Sequence, residues 1–108
     1  MTAAGKTVGK TVDGFNPVIH APNRLRICAL LSAADQAEFS FVQERLGVSA
    51  SVLSKHVSVL MDAGYVKQTR AVRDTRQRVW LSLTKEGRSA YKAHVAALQA
   101  IVGGNQDA

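Results

Sequence analysis

Apolar residues recur at helical spacing in three stretches of the first half of the chain and once more near its end. Asn16-Pro17 reads as an N-cap followed by a proline at the first helical position, opening a short turn that carries Val18 and Ile19. Pro22 marks a second start, after which Leu25, Cys28 and Leu31, with Ile27 and Leu30 beside them, follow helical spacing as far as Ala34. The polar run to Glu38 ends that helix. Glu38-Phe39-Ser40 is expected as a short extended piece, with Ser40 capping a helix over 41–46 whose apolar side is Phe41, Val42 and Leu46. Gly47 stops it, and Ser49 caps a further helix over 50–62 on which Leu53, Val57 and Leu60 share one face and after which Gly64 supplies a left-handed stop. Two helices joined through a short glycine-containing turn form a helix-turn-helix.

The period then changes. Tyr65, Val66 and Thr69 form one strand-like run and Val79 to Leu83 another, separated by a polar, basic stretch without glycine. That pattern predicts a β-hairpin with an extended, mobile tip. Thr84-Lys85-Glu86-Gly87 opens a last helix with Tyr91, Val95, Leu98 and Val102 on one stripe, ended by Gly103-Gly104. The predicted fold is therefore mainly α with a small β-hairpin, in the order of a winged helix-turn-helix. Residues 1–14 are expected as a flexible arm, 15–102 as the domain and 103–108 as a polar tail.

Composition narrows the chemistry. At 108 residues and 46% apolar the chain makes one small domain with little room for a deep active site. Fourteen Lys and Arg against eight Asp and Glu leave a net charge of +6, which calls for a polyanionic partner. No apolar run is long enough to span a bilayer, so no membrane role is expected. One cysteine excludes an internal disulfide and fits a reducing, cytoplasmic setting. The doubled GKTV of the arm fails as a phosphate loop, because the glycine required before Gly9 falls on Ala4 and no apolar strand leads into it.

The helix over 50–62 buries Leu53, Val57 and Leu60, so its other face carries Ala50, Ser51, Ser54, Lys55 and Ser58, with no carboxylate before Asp62. Short side chains permit close approach, and hydroxyls with one lysine donate to phosphates and base edges. Ser49 and the backbone N–H groups of the helix start suit a phosphate. His56 lies between the two faces, equally suited to packing and to phosphate contact. In the hairpin, Lys67, Arg70, Arg73, Arg76 and Arg78 face a single acid, Asp74. Arginines on a thin finger suit a narrow minor groove, which Arg76 is expected to enter while Arg73 and Arg78 hold phosphates, and Asp74 is expected to hold Arg76 in one geometry. The stripe of the last helix is more than one small domain can cover, so Tyr91, Val95, Leu98 and Val102, with Phe15, Val18 and Ile19, are expected to form a homodimer interface. His20, His56 and His94 lie far apart on different predicted elements, outside any nucleophile or metal motif, and no catalytic residue, metal or cofactor is expected. Cys28 reads as a buried small hydrophobe rather than a sensor thiol. No aromatic platform for single-stranded RNA is present.

The run Leu46-Gly47-Val48-Ser49-Ala50-Ser51-Val52-Leu53-Ser54-Lys55-His56-Val57, with Leu60 and Ala63-Gly64-Tyr65-Val66, resembles the helix-turn-helix of MarR- and ArsR-type bacterial regulators. Asp74 to Gly87 resembles the MarR wing and the Leu-Thr-x-x-Gly junction that follows it, and Asn16 to Ile27 is similar to the first helices of a short MarR-like subgroup. The resemblance implies a dimeric transcription regulator, usually a repressor, with recognition positions at Ala50, Ser51, Ser54 and Lys55 and a wing-tip pair at Asp74 and Arg76. This chain is shorter than most MarR proteins, which leaves an effector pocket and the usual dimer geometry unassigned. It lacks the Cys/His clusters of metal-sensing ArsR proteins. The combined expectation is a cytoplasmic, nucleoid-associated homodimer on near-palindromic double-stranded DNA. The competing reading is a winged helix that docks an acidic protein instead.

Overall fold

The computed structural model describes residues 13–103. Most of the expected arm and all but Gly103 of the expected tail lie outside those residues. Asn16 caps α1 (Pro17–His20), its Oδ1 accepting from the N–H groups of Val18 and Ile19 at 3.0 and 3.2 Å. Proline at position 22 keeps Ala21 extended (φ −55°, ψ 136°), which separates α1 from α2 (Pro22–Ser32). Helix α2 buries Ile27, Cys28 and Leu31. A two-residue strand β1 (Ala37–Glu38) follows, then α3 (Phe39–Leu46). The helix starts earlier than predicted. Glu38 takes the capping position without a side-chain cap bond, and Ser40 lies inside the helix and exposed.

Gly47, at φ +70°, turns the chain into α4 (Ala50–Asp62), where the Ser49 hydroxyl accepts from the N–H of Val52 at 3.1 Å as expected of an N-cap. Strands β2 (Val66–Arg73) and β3 (Arg76–Leu83) pair in antiparallel register from Val66↔Leu83 to Arg73↔Arg76. The extended tip expected from the sequence is therefore absent. The ladder runs to its last pair and closes on Asp74 and Thr75 at φ +53° and +61°. Two left-handed residues in a row make the turn whose twist matches that of paired strands, and aspartate tolerates that conformation better than most residues. Strand β1 adds to β3 through Ala37↔Leu81 and Glu38↔Trp80, giving the order β1-β3-β2.

Helix α5 (Lys85–Gly103) begins at a tight junction. Thr84 accepts at Oγ1 from the N–H of Gly87 at 2.9 Å, donates its hydroxyl to the Gly64 carbonyl at 2.6 Å, and donates its own N–H to the Tyr65 carbonyl at 2.9 Å. One core joins the elements: Ile19, Ile27, Leu31, Val42, Leu53, Leu60 and Leu81 are all fully buried. From α5 the buried positions are Gly87, His94 and Ala97. Tyr91, Val95 and Leu98 are half-buried, while Val102 is 84% exposed.

Candidate nucleic-acid interface

Leu53, Val57 and Leu60 turn one side of α4 into the core, which leaves Ala50, Ser51, Ser54, Lys55 and Ser58, together with the Ser49 cap, exposed on the other. No acidic residue occupies its first turn. The open choice for His56 resolves inward. Its Nδ1 lies 3.3 Å from Nη1 of Arg24 on α2, and since a guanidinium only donates, the imidazole nitrogen accepts. Arg24 also donates from Nε to the Val18 carbonyl. Burial, then the charges of Arg24 and Lys55, hold the His56 imidazole below its ordinary pKa.

On the wing, Arg70, Arg73, Asp74 and Arg76 are exposed, and the Arg73 guanidinium lies over the Trp80 ring at 5.4 Å. Two expectations are corrected here. Asp74 makes no ion pair with Arg76: the sole ion pair among the described residues is Arg78 with Glu38. Arg76 is fixed on the ladder opposite Arg73, while Asp74 stands in the turn. Arg78, expected to hold a phosphate, instead places Nη1 at 2.9 and 3.1 Å from the two carboxylate oxygens of Glu38. The reason is the β1–β3 pairing, which sets Glu38 opposite Trp80 and within reach of Arg78. Glu38 had drawn no functional reading from the sequence. Its only local signal was a lone acid just before a helix.

The expected dimer residues separate into two groups. Ile19 is fully buried in its own protomer and so is not spare, while the half-buried Phe15 packs between the His20 and His94 rings at centroid distances of 4.8 and 4.9 Å. Val18 packs partly on the same core. The end of α5 is different. Val95, Leu98, Gln99, Val102 and Gly103 line an open, apolar depression of about 390 Å³, and Ile101, which the stripe did not include, is 50% exposed beside it. His20 and His94, far apart in sequence, meet with Nδ1 and Nε2 3.3 Å apart.

Cys28 is buried, and burial pushes its thiol up to about 11. A thiolate is the reactive form. The folded protein is therefore expected to resist an aromatic disulfide reagent at mildly alkaline pH and to react stoichiometrically once unfolded; fast labelling of the native form would contradict the buried placement.

The chain matches the family described as "Winged helix DNA-binding domain" over residues 23–102. It is 30% identical over 81 residues to the uncharacterized protein MJ0432 of Methanocaldococcus jannaschii, covering 75% of this chain and 84% of that protein. Among solved structures, it is similar to the transcriptional regulator homologue protein from Pyrococcus horikoshii OT3, with TM-score 0.76 and 30% identity over 81% of this chain and 86% of that one. It also resembles the PcaV transcriptional regulator from Streptomyces coelicolor, with TM-score 0.69 and 22% identity over 82% of this chain and 62% of that one, a likeness of fold alone. An exposed helix face without acids before its last turn, beside an arginine-bearing hairpin in a chain that matches a DNA-binding model over most of its length, has one consistent reading: the protein belongs to the winged helix DNA-binding domain family and is a DNA-binding regulator.

Proposed function

We propose that two copies of this protein pair through the ends of α5 and bind a near-palindromic operator, each α4 entering a major groove and each wing an adjacent minor groove, so that occupancy of a promoter represses transcription in the cytoplasm. The observation that carries this reading is the exposed face of α4, free of carboxylates until Asp62 in its last turn, next to the cationic wing. In it Ser51, Ser54 and Lys55 address base edges, Ala50 lets the backbone come close, and Ser49, Ser58 and Arg73 hold phosphates. Arg76, at the end of the ladder, enters the minor groove, where negative potential is concentrated. Arg78 is a positioning residue: its ion pair with Glu38 ties the wing to the start of α3.

Footprinting on the DNA upstream of the protein's own coding region tests the whole reading, and a salt titration of binding tests the division of labour. Each cation that neutralises a phosphate contributes about 0.9 to the slope of log affinity against log salt. Arg76→Ala is expected to weaken binding to all sequences and to flatten that slope by about one per protomer. Arg78→Ala is expected to leave the slope unchanged, because Glu38 already neutralises that charge. Equal slope losses in the two variants would return Arg78 to the phosphate contacts.

A further inference from the structure

A group of polar contacts fastens the segment before α2 to α5. His94 is fully buried and its Nδ1 accepts the backbone N–H of Asn16 at 2.9 Å. That bond decides the tautomer. With Nδ1 occupied as an acceptor, the ring proton is on Nε2, which faces Nδ1 of His20 at 3.3 Å. His20 then accepts at Nδ1 and carries its own proton on Nε2. This assignment also disqualifies the pair as a metal site, since Nε2 of His94 is a donor. Asn16 is engaged in turn. Its Oδ1 and its carbonyl together accept the amides of Val18, Ile19 and His20, and its Nδ2 donates to the Tyr65 hydroxyl at 2.9 Å.

A second proton has no good place in this arrangement. On His94 it must go to Nδ1, against the Asn16 N–H. That uptake sets two donors face to face, and no carboxylate lies within ion-pair distance of either ring among the described residues. Of the elements packed on α5, α1 presents His20, and β3 buries Leu81 and Leu83 while its Arg78 is paired with Glu38. Helix α2 carries the un-ionised Cys28 and Arg24, whose guanidinium is committed to Val18 and His56. Tyr65 reaches the group only through Asn16.

We propose that His94 closes an acid-released latch: uptake of a proton by its imidazole detaches the Phe15–His20 segment from α5, with Ile19 leaving the core, while the helix-turn-helix stays folded. Burial, and then the charge of His20, lower the pKa of His94 below its ordinary 6.5, in agreement with that geometry. The sign follows. Neutral His94 contributes its full stabilisation above about pH 6.5, and that contribution is withdrawn as the pH falls from there towards the lowered folded value. Because Arg24 links the Val18 carbonyl to His56, release of α1 reaches the recognition helix without passing through the core.

The experiment is amide hydrogen exchange on the full-length protein at about pH 7.5 and about pH 5.5, corrected for intrinsic rates. The latch predicts that protection of the Ile19 and His20 amides falls by about tenfold or more at the lower pH while that of Leu53 and Leu60 in α4 holds. In His94→Asn the amide oxygen stands where Nδ1 stood and cannot be protonated, so the same protection becomes independent of pH. Should that variant not fold, the wild-type comparison decides alone. Unchanged protection of α1, or an equal loss throughout α4, overturns the proposal.

Discussion

Substituting glutamate for both Ile101 and Val102 is expected to leave a folded monomer whose affinity for the operator is lower by about 10²–10⁴-fold, the range lost when two linked binding events become independent. The physical argument starts from what the protomer leaves uncovered. Val102 is 84% and Ile101 50% exposed, at the end of a helix whose own core contacts stop at Ala97. Folding of the protomer has nothing at stake there, so the substitution leaves thermal stability of the monomer nearly intact. Pairing does have something at stake, because two or more carboxylates would have to leave water without partners. A two-fold site read by one α4 at a time loses half of its base contacts and half of its phosphates. Sedimentation and a binding titration on the same samples separate the outcomes. A variant that still sediments as a dimer and still footprints would place the interface elsewhere.

Gly87→Ala is expected to destabilise the protein by about 3 kcal/mol, a fall in melting temperature on the order of 15 °C for a domain of this size. Modest helix propensity would favour alanine here, so the sign depends entirely on tertiary contact. A Cβ at position 87 would overlap the Tyr65 carbonyl oxygen and stand 2.7 Å from its carbon and 2.9 Å from its Cα. These are backbone atoms of the α4–wing junction and cannot rotate away. The first turn of α5 would have to lift, breaking the bonds by which Thr84 holds Gly64, Tyr65 and Gly87 together. Gly47→Ala provides the contrast. There the added methyl meets nothing within 4 Å, and only the left-handed backbone at φ +70° is strained, a cost of about 1 kcal/mol. Melting curves of the two variants should therefore differ by several degrees. Equal shifts would mean that the junction at Tyr65 yields.

Much of the architecture was legible because it is written locally. Helix α4 could be read from Leu53, Val57 and Leu60 together with the Ser49 cap, and all four do what their spacing implies. The wing could be read from its β-forming runs, but its tip could not. The absence of glycine between Arg70 and Arg78 suggested a loose loop, whereas Asp74 and Thr75 both adopt the left-handed conformation and the ladder closes tightly. Inter-strand pairing outweighed local preference there, at the turn where the two met. Along α5 the stripe of Tyr91, Val95, Leu98 and Val102 was a fair reading of helical period. The core is nevertheless met by His94 and Ala97, because Phe15 and Asn16 fold back onto that side.

The order of helices, the hairpin, the face of α4 without acids before Asp62 and the excess of cations were determined by the sequence alone, since each depends on residues within a turn or two of one another. Which of those cations is free, and which apolar side chains are spare, was decided only in three dimensions. Arg78 is neutralised by a glutamate 40 positions away, His94 is fixed by a backbone amide 78 positions away, and Ile19 disappears into its own core. Charge and hydrophobicity are properties of a residue, but their availability to a partner is a property of its neighbours, and only the folded chain brings those neighbours together.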